Sequence, residues 1–302
     1  MKWWVKIAGF KALSLVPGGS QLYRWAQENL TGSLVPTPER VRQKIEVGIQ
    51  YFSALQSLGQ VNRLLQGRHL DLGSGWHPTV PLLFHALGCP EQILADVVPV
   101  MTRETARQTA ATFLQVLPPA SSSLPLRPER LRQLESCGWP SWPPRELGWS
   151  YQAPYMDWLR SRNSELDFIT STQALLHVPK AILREIFSAV AHALQPGGIF
   201  MATIHLRDLF ANGDSSITPY NHLQYSPWFW GRCINSPLMS YNRLRAPDYR
   251  ALLEESGLRL LKFEVEPGHP AQLEKIRIHP CFAGYSHEDL AAHHLFFATQ
   301  KP

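Results

Sequence analysis

The chain has no apolar run of the roughly 18–20 residues that a helical membrane span requires, so a stable span is excluded from the sequence reading. Cysteine is scarce: Cys89, Cys137, Cys233 and Cys281 lie far apart and form no CxxC pair. That spacing argues against a structural zinc site and suits a reducing, cytoplasmic setting, with each thiol acting as a small buried hydrophobe. No dense block of Lys or Arg accompanies the net charge of +5, so a nucleic-acid partner is not expected. There is no internal repeat and no long disordered tail. With 44% hydrophobic and 18% charged residues, the 302-residue chain can bury a substantial core.

The N-terminal "MKWWVKIAGFKALSLV" has the charged start of a signal peptide, but Lys11 interrupts it and no clear small-residue cleavage site follows. Trp3 and Trp4 beside Lys2 and Lys6 would suit a lipid headgroup region. At about 100° per residue, however, Lys11 points nearly opposite to Lys2 and Lys6. A helix packed against the domain is the preferred reading, and peripheral membrane contact through residues 1–16 stays open.

What is present is alternation. Residues 3–30 and 38–66 read as helical, the second opening with Thr37-Pro38-Glu39, a cap, a first-turn proline and an acid. "RHLDLG" reads as a strand and "TVPLLFHALG" as a helix capped by Thr79 and stopped by Gly88. "QILADV", "GWSYQAP", "LDFITST" and "GIFMATIH" read as further strands, the last after a Pro196-Gly197-Gly198 turn. Helices are expected near 100–117, 128–136 and 179–194, then "PDYRALLEESG", with "LRLLKFEVE" and "HHLFFATQK" closing the chain as strands. Strands alternating with helices predict a doubly wound, mostly parallel sheet. The expected organisation is a helical N-terminal extension, 1–66, and one domain, 67–302, with insertions at 118–150 and 205–246. In such sheets ligands bind beyond the carboxyl ends of the strands.

Gly73 and Gly75 follow the first strand, where the absence of a side chain lets backbone approach a ligand. Asp96 ends the second strand, 21 residues after Gly75, where an acid can accept from ribose hydroxyls. The third glycine of a dinucleotide turn is missing, and Trp76-His77-Pro78 stands in its place.

Asp71-x-Gly73-x-Gly75, Asp96, "APYMD", "LDFITSTQALLHV" and "LQPGGIFMATI", in that order, resemble the class I S-adenosylmethionine-dependent methyltransferase family. The resemblance covers about residues 67–206 and a two-strand tail near 247–301. It implies a Rossmann-like sheet of seven strands, the last antiparallel, with S-adenosylmethionine as cofactor. That ligand has no pyrophosphate, so the third glycine is not needed, and Trp76 and His77 can line its methionine end. The same resemblance puts Asp71, Gly73, Ser74 and Gly75 at the methionine and ribose, and Asp96 at the ribose hydroxyls. Val97, Met156 and Asp157 fall at the adenine, Ser171 and Thr172 near the sulfonium, and His177 where it supports the cofactor end of the sheet. "STQA" after the fourth strand replaces the Asn/Asp-Pro-Pro-aromatic motif of amino-methylating base enzymes, which disfavours DNA as substrate.

The long 205–246 segment sets Trp228, Tyr220 and Tyr241 beside Asn221, Asn242 and Arg243, the composition of a small-molecule pocket. The competing reading is an insertion that packs its own aromatics. "HLRD…YN…SYNRLR" also resembles a loosely described bacterial branch of the family that acts on glycan, lipid-linked or specialised small molecules. His205, at the tip of the fifth strand, and Asp208 are the candidate bases for a hydroxyl acceptor. The acidic pair of the metal-dependent branch is missing, so no metal is expected. A binding or scaffold protein that has lost turnover is the alternative reading, and a dehydrogenase a more distant one. Oligomeric state is not legible.

Overall fold

The computed structural model describes residues 2–19, 22, 34–120 and 124–302. Seven strands form one sheet: β1 (Arg68–Leu72), β2 (Glu91–Ala95), β3 (Trp149–Gln152), β4 (Leu166–Thr172), β5 (Leu194–His205), β6 (Arg259–Pro267) and β7 (Ala292–Gln300). Their order is β3-β2-β1-β4-β5-β7-β6. β1 to β5 run parallel, and β7 runs antiparallel between β5 and β6. This is the doubly wound sheet that the alternation of strands and helices predicts.

Side chains alternate across each strand, so the sheet supplies two cores. In β5, Ile199 and Met201 join the first core with Ile45, Phe84 and Phe113, while Phe200, Ala202 and Ile204 join the second with Phe187 and Leu253. The helices are α1 (Trp3–Leu15), α2 (Pro38–Ser57), α3 (Val61–Gln66), α4 (Thr79–Leu87), α5 (Arg103–Ala120), α6 (Pro128–Ser136), α7 (Met156–Arg160), α8 (Lys180–Ala193), α9 (Ala246–Glu255) and α10 (His287–Ala291).

Several local readings change. The helical stretch 38–66 is two helices, separated where Gly59 takes a left-handed φ of 66°. Thr37 does cap α2, accepting from the Arg40 N–H. Pro78, not Thr79, is the cap residue of α4; Thr79 is already helical, and its buried hydroxyl has no partner. Pro196-Gly197-Gly198 lies inside β5, where the pairing with β4 shifts register, rather than forming a turn before it. The reading of 3–30 as helix holds over α1; residues 20, 21 and 23–30 lie outside the described residues.

Two helices of the expected extension touch the functional edge or its support. α2 contributes Val41, Ile45, Tyr51, Phe52 and Leu55 to the same core as Phe84 and Phe168. A side chain at Gly48 would come within 2.6 Å of Leu83, so glycine permits the close crossing of α2 and α4. α1 packs on the 205–246 insertion: the Trp3 N–H donates to Asp214 at 2.8 Å, and Lys11 donates to the Arg232 carbonyl. No helix among the described residues is long and apolar enough to cross a membrane.

Candidate active site

The turn after β1 is built by backbone. Gly73 and Gly75 have φ of 77° and 64°, in the left-handed region that side chains resist. A Cβ at Gly73 would lie 2.3 Å from that of Ala174, whereas one at Gly75 would meet nothing within 4 Å, so the chain is open to a ligand there. The Gly73 and Ser74 N–H groups donate to the Ala95 carbonyl. The Ser74 hydroxyl donates to the Asp71 carbonyl and accepts from the Ala95 N–H, locking the turn to the end of β2.

Asp96 joins this turn directly. One carboxylate oxygen accepts from the Gly75 N–H at 2.9 Å, the other from the Val97 N–H at 2.7 Å, and burial raises the carboxyl above its ordinary range. With four lone-pair positions on its two oxygens, the carboxylate keeps acceptor capacity. The Asp96 N–H donates to the Gln152 carbonyl at the end of β3, so β2 and β3 deliver Asp96 and the start of α7 to one edge. On α7, Met156 is half-buried against the core, and Asp157 is exposed with an ion pair to Arg160 at 3.2 Å. Val97 is exposed and Trp76 half-buried at this edge.

Beneath the turn lies a buried polar chain. Gln92 Nε2 donates to the Pro81 carbonyl, so Oε1 faces His69 Nδ1, which must donate. His69 Nε2 is then an acceptor 2.8 Å from the Thr170 hydroxyl, which is also 3.1 Å from an Asp71 oxygen. One hydroxyl proton faces two acceptors. Burial raises the Asp71 carboxyl to about 6, with Lys44 opposing the shift; below that pH its protonation frees the Thr170 hydroxyl for His69, and above it the carboxylate takes the Thr170 proton.

Next to the turn, α2 and the ends of β4, β5 and β7 enclose a cleft of about 440 Å³ lined by Arg40, Lys44, His77, Thr172, Gln173, His205, Arg207 and His294. Lys44, His77 and Thr172 also border a small space against Asp71, Gly73 and Ser74, so they form a common wall. The Tyr51 hydroxyl donates to the Ser171 carbonyl and pins α2 over the strand ends. Gln173, with a strained φ of 56°, accepts from the His205 N–H and turns its amide N–H group to His294 Nε2 at 3.0 Å. His205 is lowered to about 4 by burial first and by Arg207, His294 and His293 next, so it is neutral at pH 7. Burial likewise lowers His77 to about 4; its Nδ1 meets the Thr109 hydroxyl, and its buried Nε2 has no partner.

The structure takes the second proposed base elsewhere. Asp208 is fully buried and accepts from the Tyr241 hydroxyl at 2.6 Å, the Phe210 N–H at 2.8 Å and the Asn221 amide at 3.2 Å. It organises the insertion and does not border the cleft. Most of the proposed substrate residues share that fate. Tyr220 is buried and donates to the Ala291 carbonyl, and Asn242 staples the carbonyls of Leu175 and Val178. Arg243 holds the His222 and Tyr225 carbonyls and stacks over Trp230 and Phe282. Trp228 is 70% exposed. Ser171 points inward to the Leu72 carbonyl, and exposed His177 faces the Ser240 carbonyl.

Several cleft residues were not singled out from sequence. Arg40 and Lys44 carry an i, i+4 spacing on α2, a usable signal. His294 carries another: an antiparallel last strand puts its start beside the end of β5, and His205 pairs with His294. Arg207, next to Asp208 in the chain, was not singled out either.

The family described as "Methyltransferase domain" matches residues 39–262, starting inside the helical stretch read as an extension. No curated protein matches the chain. Among solved structures it is similar to a putative sarcosine dimethylglycine methyltransferase from Galdieria sulphuraria, at 17% identity and TM-score 0.45, covering 84% of this chain and 86% of that one. It is similar to an S-adenosylmethionine-dependent methyltransferase from Mesorhizobium loti at 18% identity and TM-score 0.42, covering 82% and 96%. A Methanosarcina mazei protein of the same description gives 14% identity and TM-score 0.43, covering 80% and 96%. The family match spans most of the chain, and the sheet has the seven strands and antiparallel last strand that the resemblance implied: the chain belongs to the methyltransferase-domain family and is a class I S-adenosylmethionine-dependent methyltransferase.

Proposed function

We propose that the enzyme methylates a hydroxyl of a small molecule held in the cleft, with His205 taking the hydroxyl proton. The observation that carries this reading is the common wall of Lys44, His77 and Thr172, which sets the cleft directly against the glycine turn. The turn fits the cofactor: it is open above Gly75, bordered by an acceptor at Asp96, and buries the Asp71 carboxylate beside Lys44. When bound, S-adenosylmethionine supplies an electrophilic methyl group on a cationic sulfur.

In this reading Gly73, Ser74, Gly75 and Trp76 hold the methionine and ribose, and Asp96 accepts from the ribose hydroxyls. Val97, Met156 and Asp157 flank the adenine. Asp71 offers a negative charge to the cationic end, and Lys44 faces the carboxylate, with His77 lining that end. Thr172 sits where the methyl group leaves the cofactor site for the cleft, while Ser171 and His177 support it from the backbone side. Alignment of acceptor and methyl donor can supply about 7–11 kcal/mol. His205 contributes at the acceptor: its neutral ring has a free lone pair, accepts the hydroxyl proton and becomes imidazolium.

Calorimetric titration with S-adenosylmethionine and S-adenosylhomocysteine tests the cofactor site. Incubating enzyme with methyl-labelled cofactor and a small-molecule cell extract tests transfer. Label should appear in small molecules and not in nucleic acid, and His205→Gln should suppress it without weakening cofactor binding. Label confined to macromolecules would sink the small-molecule reading.

A further inference from the structure

We propose that the acceptor carries an anionic oxygen group, a phosphate or a carboxylate, which Arg207 grips at the end of the cleft away from the cofactor turn. This rests on the reading of the cleft as the acceptor site. Arg207 borders both the cleft and an adjoining recess of about 290 Å³ lined by His205, Glu266, His293 and His294. Its Nε is buried without a hydrogen-bond partner, and its guanidinium makes no ion pair among the described residues. An unanswered buried N–H is costly, so most are satisfied internally. Two other arginines show how this chain satisfies them. Arg245 donates to the carbonyls of Leu206, Asp289, Leu290 and Ala292, and Arg243 to those of His222 and Tyr225. Arg207 alone of the three is left for a ligand.

Two further observations agree. His293 Nε2, in the same recess, is buried and also lacks a partner. Among the described residues lining the main cleft there are two more cations, Arg40 and Lys44, and no carboxylate. The one acid of the recess, Glu266, is 70% exposed and 3.9 Å from His294 Nδ1. A planar guanidinium fork matches two oxygens of a carboxylate or phosphate, and neutral imidazole adds an N–H donor. The cofactor's own carboxylate belongs at the other end, because Arg207, His293 and His294 do not border the space at the turn.

The test begins by saturating the protein with S-adenosylhomocysteine, then titrates phenyl phosphate, benzoate and phenol by calorimetry into wild type, Arg207→Gln and Arg207→Lys. At least one anion should bind roughly tenfold or more tightly than phenol, and the tighter anion identifies the group. Arg207→Gln should weaken that anion roughly tenfold or more with S-adenosylhomocysteine affinity unchanged, and Arg207→Lys should lose less. Equal binding of all three probes overturns the proposal, as does anion affinity indifferent to Arg207→Gln. Anions that compete with S-adenosylhomocysteine overturn it too, since the guanidinium then serves the cofactor. A folded protein that takes up no S-adenosylhomocysteine fails at the first titration and overturns the cofactor reading beneath.

Discussion

The turn after β1 and the insertion after β5 both stand at the carboxyl edge of the sheet, and both carry the residue types of a binding site. They use them in opposite ways. Around Gly73–Gly75 backbone N–H groups donate to the Ala95 carbonyl and the Asp96 carboxylate, and that carboxylate keeps acceptor capacity. In 208–243 several polar side chains are consumed internally: Asp208 by Tyr241, Asn221 and Phe210, Asn242 and Arg243 by carbonyls; His222 Nδ1, buried without a partner, is an exception away from the cleft. A polar residue at a ligand edge signals function only when its hydrogen-bonding capacity is left over. Arg207, between the two regions, meets that condition.

The contrast can be broken most sharply at His205. Replacing it with Gln should lower kcat by about 10²–10⁴-fold with cofactor affinity unchanged; a change confined to KM would move His205 out of the base role. On the insertion side, Asp208→Ala should cost about 2–5 kcal/mol of unfolding free energy in denaturant titration, because three donors lose their acceptor. If instead stability holds and turnover collapses, Asp208 belongs to the cleft after all. Asp96→Ala should weaken S-adenosylhomocysteine binding by about 1.5–3 kcal/mol in calorimetry, with smaller effects on folding.

Asp71 gives a pH signature. Burial lifts its carboxyl from 3.8 to about 6, so the folded protein holds that proton more tightly than the unfolded chain. The resulting stabilisation is complete below pH 3.8 and disappears as pH rises through 6. A cationic ligand beside Asp71 favours the carboxylate, so binding near pH 6 should release a fraction of a proton and binding at pH 8 almost none; calorimetry in buffers of different ionisation enthalpy reads this. Trp228→Ala should be the quietest change, within about 0.5 kcal/mol in stability and without effect on cofactor binding, since its ring is 70% exposed.

Much of the fold was legible because periodicity and punctuation are local. β4 and α6 occupy the positions read from sequence, and Gly88 ends α4 at a φ of 110°. The N-terminal helices were legible as helices but not as part of the site. Which face of α2 meets the sheet depends on Gly48 crossing Leu83 and Tyr51 reaching the Ser171 carbonyl, contacts far apart in sequence. The aromatic insertion was misleading as a pocket because composition does not reveal where a hydrogen bond goes.

The sequence by itself determined the sheet, its glycine turn and the acid at the end of β2, since strand period, backbone freedom and residue spacing are written along the chain. Tertiary structure alone decided the cleft beside the turn. It brought Lys44 from α2, His205 and Arg207 from the end of β5 and His294 from the antiparallel β7 around one cavity. It also buried Asp208 away from them. Burial and hydrogen-bond satisfaction are properties of packed neighbours, and no stretch of chain carries them alone.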